Sequence, residues 1–114
     1  VSMWVFTQNG FLSAVRKESG SNILKVRARD RQALHDLAIF ADVEIVTTPL
    51  ADYPYRVFVD ELIFGGYLMH ELAEADYTNF KSRVAITRGE NYANACGEVW
   101  STMHKVEDQR AREL

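Results

Sequence analysis

Three segments near the start of the chain, Met3–Thr7, Phe11–Lys17 and Ile23–Arg29, alternate along the chain with a period of two, the pattern of strands that bury one face and wet the other. The alternation is cleanest where Leu24, Val26 and Ala28 interleave with Lys25, Arg27 and Arg29. Asn9 and Gly10 tolerate positive φ and can turn or bulge the chain between the first two strands, and Ser19, Gly20, Ser21 and Asn22 form a polar turn before the third. The period then changes. Asp30 can cap a helix through its carboxylate, and Leu34, Leu37, Ala38 and Ala41 follow at helical spacing. Val43–Thr48 and Tyr55–Asp60 read as two further strands, separated by a connection in which Pro49 and Pro54 remove backbone donors and fix φ. Asp60 is a second cap. From Glu61 to about Arg88 the spacing predicts one long helix with Phe64, Leu68, Leu72 and Ala75 on its buried stripe. Gly89 can end that helix, and Tyr92, Ala95, Cys96, Val99, Met103 and Val106 place a buried stripe on a final one. The polar tail Glu107–Leu114 is expected to fray.

Strands first and helices afterwards make an α+β domain, with helices covering one face of a mainly antiparallel sheet and an extra C-terminal helix; the specific arrangement expected is ferredoxin-like. At 114 residues the chain is expected to be a single domain, residues 1–114. Its 47% apolar and 25% charged residues are ordinary for a soluble protein, and no apolar run reaches the length of a membrane span. Cys96 is the one cysteine, so no intramolecular disulfide can form; reducing surroundings, the cytoplasm, are expected.

Charge is segregated along the chain. Residues 1–31 hold six basic side chains against Glu18 and Asp30, while residues 41–76 hold eight acidic ones against Arg56 alone, within an overall net charge of −3. If Leu24, Val26, Ala28, Val57 and Val59 face the helices, then Lys25, Arg27, Arg29, Arg56 and Phe58 face away; strand parity is expected to send Leu12, Ala14 and Arg16 there too, with Trp4 and Phe6 beside them. An aromatic and aliphatic patch edged with arginine is unusual on a face that only water sees, so it is expected to be covered by the final helix, by a second copy or by a ligand. The cationic row is expected to be compensated by carboxylates, Glu44 and Asp60 foremost.

Catalytic patterns are sparse. His70, Glu71 and Glu74 make His-Glu-x-x-Glu, which lacks the second histidine of the zinc-protease pattern; no metal and no cofactor are expected. Gly65 and Gly66 lack the other glycines and the lysine of a phosphate loop. Cys96, among Ala95, Val99 and Tyr92, is expected to be an inert buried thiol. The densest polar and aromatic cluster is Asp76-Tyr77-Thr78-Asn79-Phe80-Lys81, of which Tyr77, Asn79 and Lys81 could form a small-molecule or phosphate site.

Met3-Trp4-Val5-Phe6-Thr7 with Gly10-Phe11-Leu12-Ser13-Ala14-Val15, then Leu24–Arg29, Ala51-Asp52-Tyr53-Pro54-Tyr55-Arg56, Asp76–Lys81 and Val99-Trp100-Ser101-Thr102-Met103 resemble a family of small uncharacterised bacterial proteins. The resemblance spans nearly the whole chain. It implies one compact domain and carries over neither an activity nor a site.

The reading that follows is a non-enzymatic binding or self-associating module acting through a sheet face, with Trp4, Phe6, Arg16, Lys25, Arg27, Arg29 and Phe58 as its binding residues. Its partner is expected to be a second copy or another protein. Two alternatives remain: a small hydrolase or transferase with a site near His70, Tyr77, Asn79 and Lys81, and a weak nucleic-acid binder through Lys25, Arg27 and Arg29, which the acidic net charge disfavours.

Overall fold

The computed structural model describes residues 2–108, which fall into two compact units, residues 2–76 and 77–108. The first unit is a five-stranded antiparallel sheet with two helices. Its strands are β1 (Met3–Thr7), β2 (Gly10–Arg16), β3 (Ile23–Ala28), β4 (Val46–Thr47) and β5 (Tyr55–Asp60), in the spatial order β1-β2-β3-β5-β4; α1 (Gln32–Ala41) and α2 (Glu61–Glu74) complete it. The α+β class and the antiparallel sheet are therefore as expected. The ferredoxin-like arrangement is not shown: β1, β2 and β3 are successive antiparallel neighbours, and β5 pairs antiparallel with β3 while the short β4 lies outermost.

The core lies between one sheet face and the two helices. Leu12, Ala14, Val26, Ala28, Val57 and Val59 supply the sheet side, Leu34, Leu37, Phe64 and Tyr67 the helix side. This corrects the parity of β2. The turn at Gln8 and Asn9 pairs Thr7 with Gly10 and Val5 with Leu12, so Leu12 and Ala14 share a face with Val5, while Phe11 and Ser13 share the opposite one with Phe6 and Trp4. Arg16 follows Ala14 to the helix side, where its guanidinium meets the carboxylate of Glu61 at 2.5 Å and the carbonyl of Ser21 at 3.0 Å.

Several boundaries move for local reasons. The residue directly before α1 is Arg31, already helical in backbone and with no side-chain cap bond of its own, so the helix starts one residue beyond the position that follows Asp30. Asp60 does cap α2, accepting from the Leu62 amide at 2.8 Å. The expected strand Val43–Thr48 shrinks to Val46–Thr47 because Asp42 turns left-handed and the Val43 amide returns to the Ala38 carbonyl, closing α1. The buried stripe of α2 is Phe64 and Tyr67, with Leu68 half-buried and Leu72 exposed.

The long helix expected from Glu61 to Arg88 is two helices. α2 ends at Glu74, and α3 (Phe80–Arg88) starts after Asn79, whose side-chain oxygen accepts from the Ser82 amide at 2.9 Å. Asp76, Thr78 and Asn79 bond their own backbone better outside a helix than within one, so a cap wins over continuity. In the second unit α3 packs on α4 (Glu90–Met103) across Gly89, which holds φ +93°, and a 3₁₀ turn over His104–Val106 follows. Val84 and Ala93 are buried there, whereas Val99, expected in the core, is 39% exposed and Cys96 is half-buried. The part of the expected fraying tail beyond Asp108 lies outside the described residues.

Tyr67 is the largest fully buried side chain of the core, and its hydroxyl lies beside Glu71, whose carboxylate accepts from the Asn9 side-chain amide at 2.9 Å. Burial first, then the Glu71 charge, raise the Tyr67 pKa above the usual tyrosine value near 10. A tyrosine raised on folding must stay protonated in the native state, so its contribution is complete below that usual value and declines as pH climbs past it. Chemical denaturation as a function of pH is expected to show the parent losing stability above pH about 10 more steeply than Tyr67→Phe. Parallel curves would show that the hydroxyl is not linked to folding.

Candidate binding face

Strand register lays out the sheet face opposite α1 and α2 in rows. Trp4, Ser13, Arg27 and Arg56 stand side by side across β1, β2, β3 and β5; Phe6 pairs with Phe11 on one side of that row, and Val15, Lys25 and Phe58 form the next row on the other. Successive rows lie about 7 Å apart, two strand residues on. Phe11 joins the aromatic group, with its ring centroid 4.8 Å from that of Phe6 in a stack and 5.3 Å from that of Trp4 edge-on.

The connection from β4 to β5 folds over part of this face. Thr48 and Pro54 are joined by a backbone bond of 2.7 Å, and Tyr53, 8% exposed, is laid against the sheet between them. The guanidinium carbons of Arg27 and Arg29 stand 4.6 and 4.5 Å from the centre of its ring, and Phe11 lies 6.3 Å away. Arg56 donates to the Tyr53 carbonyl at 3.2 Å, and Arg27 donates to the Ser13 hydroxyl at 2.9 Å. The Nε groups of Arg27 and Arg56 are buried with no acceptor among the described residues.

A carboxylate does compensate the row, but from the loop: Arg29 meets Asp52 at 2.5 Å, and that hydrogen bond, the largest of the influences on it, raises the Arg29 pKa. Glu44 makes no ion pair among the described residues, and Asp60 is committed to its cap. Lys25 is half-buried and likewise without an ion pair among the described residues. The Lys17 ammonium sits 5.6 Å over the ring of Phe58, which is 37% exposed. The face therefore has a pinned arginine frame at its middle and two open apolar spots, Trp4 with Phe6 and Phe58 with Val15.

Of the expected binding residues, Trp4, Phe6, Lys25, Arg27 and Phe58 share this face, and Arg29 reaches it from just beyond β3. Arg16 does not, for the register reason above. Phe11, Ser13 and Tyr53 belong to it and were not anticipated; the register could have placed the first two, but a loop residue carries no period to read.

The alternative site divides. His70 belongs to the first unit, exposed on α2 and stacked on Phe40 with centroids 5.9 Å apart. Tyr77, Asn79 and Lys81 belong to the second. Asn79 is spent on its cap, Tyr77 lies under the Arg83 guanidinium at 5.4 Å, and Lys81 runs alongside Gly97. An open groove of about 780 Å³ lies at the start of α3 against α4, where Asn79, Phe80 and Lys81 face Asn94, Cys96 and Trp100. Burial pushes the Cys96 thiol up, against a partial offset from Arg88, so its reactive thiolate form is disfavoured.

Among the described residues no three or more His, Cys, Asp or Glu side chains are grouped to hold a metal ion, and no helix is long and apolar enough to cross a membrane. No protein family, curated protein or solved structure matches the chain.

Proposed function

We propose that the protein is a non-enzymatic binding module that docks a protein partner on the face of its sheet opposite α1 and α2. One observation carries the reading: exposed rings, Trp4 at 61% and Phe58 at 37%, flank a frame of arginines already fixed by Tyr53, Ser13 and Asp52. Rigid aromatic anchors beside pre-organised cations lose little conformational entropy on binding, which is what interface hot spots require. Lys17, Lys25, Arg27 and Arg56 leave the face positive, so the partner is an acidic segment with apolar side chains to place on Phe58 and Val15. The single cysteine supports a reducing compartment, the cytoplasm, as the setting.

Selection from a displayed random-peptide library tests this. Enriched peptides are expected to combine Asp or Glu with aromatic or aliphatic residues, and to lose about tenfold or more in affinity for Lys25→Glu and for Phe58→Ala. No enrichment, or peptides indifferent to both changes, would overturn the reading. Steeply salt-dependent binding of single-stranded RNA or DNA that Lys25→Glu abolishes would replace it with the nucleic-acid alternative.

A further inference from the structure

We infer that β1 is a dimerisation edge: two copies of the chain join their sheets antiparallel, β1 against β1, across a two-fold axis at Val5. Among the described residues β1 is one end of the sheet and β4 the other. The two ends differ in kind. β4 has two residues and runs within two positions into Pro49, so it offers almost no unpaired backbone. β1 has five residues, Met-Trp-Val-Phe-Thr, with no lysine, no proline and no charge, and residues 3–15 as a whole are uncharged. Open strand edges template pairing with another chain, and proteins that stay monomeric blunt them with charge, proline or bulges. This one carries none of those devices.

Exposure on both sides of the strand identifies the occupant. Met3, on the helix side, is 50% exposed, and Trp4, on the other face, is 61% exposed. A partner docked on either face would cover one of them. A strand added alongside β1 covers both.

Charge selects the second copy. Each chain carries −3 overall, with the acidic excess in residues 41–76, so most ways of bringing two chains together set like charges against each other, and stacking two cationic sheet faces would oppose their cations. The β1 edge meets itself without a charge on either side. Full overlap of two five-residue strands, with both copies of Trp4 and Met3 covered, removes on the order of 1,000 Å² from water, the lower bound for a specific interface.

Only an axis at Val5 keeps all five residues paired. It sets Trp4 opposite the partner's Phe6 and Met3 opposite the partner's Thr7, and it brings Val5, which packs against the core, to its own copy. Phe11, Phe6 and Trp4 already form one aromatic group within a chain, so the pairing runs a continuous stripe of rings across the joint.

Light scattering of the full chain is expected to give twice the 13.0 kDa of one chain at micromolar protein. Trp4→Lys is the first variant, since the side chain is 61% exposed and its loss is expected to leave the fold intact. Its two lysines would stand diagonally about 7 Å apart and weaken the dimer by about a hundredfold. Register is read by disulfide trapping in a Cys96→Ser background: Trp4→Cys mixed with Phe6→Cys is expected to cross-link, and Trp4→Cys alone is not. Lys25→Glu and Phe58→Ala, which test the docking face, are expected to leave the dimer intact. A parent that scatters as a monomer, or a dimer that Trp4→Lys leaves unchanged, would overturn the edge proposal without touching the peptide-docking reading; a dimer lost with Phe58→Ala would relocate the contact to the face and overturn it too.

Discussion

Val57→Asp is expected to lose most of its folding stability. Val57 is fully buried in the middle of β5, opposite the equally buried Val26 of β3, with α1 and α2 closing the space above. A carboxylate there has no cation and no donor within the apolar core, so it either stays charged and desolvated or takes up a proton and remains without partners. Either course costs more than about 4 kcal/mol, against a total stability of about 5–15 kcal/mol for a domain of this kind. Val57→Ala, which leaves only a cavity, is expected to cost about 2 kcal/mol and to melt cooperatively. Circular dichroism through a urea titration separates the three proteins. The same change at Val99, 39% exposed on α4, is expected to cost under about 1 kcal/mol. A Val57→Asp protein that unfolds with the parent's midpoint would mean that the sheet side of the core is misassigned.

That contrast shows what a period along the chain can and cannot say. β5 was legible to its ends, Tyr55–Asp60, because Val57 and Val59 alternate against Arg56 and Phe58 and because Asp60 stops the strand by starting a helix. Val99 follows an equally regular helical spacing, yet spacing reports only which residues share a side of a helix, not whether anything lies against that side. The faces of β2 were misread for a related reason: each strand's own alternation is plain, but relative parity depends on the length of the turn between them, and the pairing of Thr7 with Gly10 decides it. The break between α2 and α3 is a contest between a continuing apolar period and the capping chemistry of Asn79, which acts at short range and wins. The binding face was half visible. Lys25, Arg27 and Phe58 follow from β3 and β5, whereas the residue that organises their surroundings, Tyr53, sits in an aperiodic loop between two prolines.

Tyr53→Ala is expected to cost about 3 kcal/mol, far more than its place in a loop suggests. The ring lies against both the Arg27 and the Arg29 guanidiniums and near Phe11, so its removal opens a cavity and ends two cation–ring contacts at once. Tyr53→Phe keeps the ring and is expected to stay within about 0.5 kcal/mol of the parent. Asp52→Ala, which removes only the exposed ion pair to Arg29, is expected to cost under about 1 kcal/mol. Salt dependence distinguishes lost packing from an exposed cation pair. Arg27 and Arg29 lie two strand residues apart, about 7 Å, within the screening length at physiological ionic strength. With the ring that both cations contact gone, their repulsion is offset only by solvent, and raising salt is expected to recover part of the lost stability in Tyr53→Ala while leaving Tyr53→Phe where it was. A variant that melts with the parent, or one whose deficit is the same at every salt concentration, would show that Tyr53 does not hold these two cations, and the pinned arginine frame on which the docking face depends would go with it.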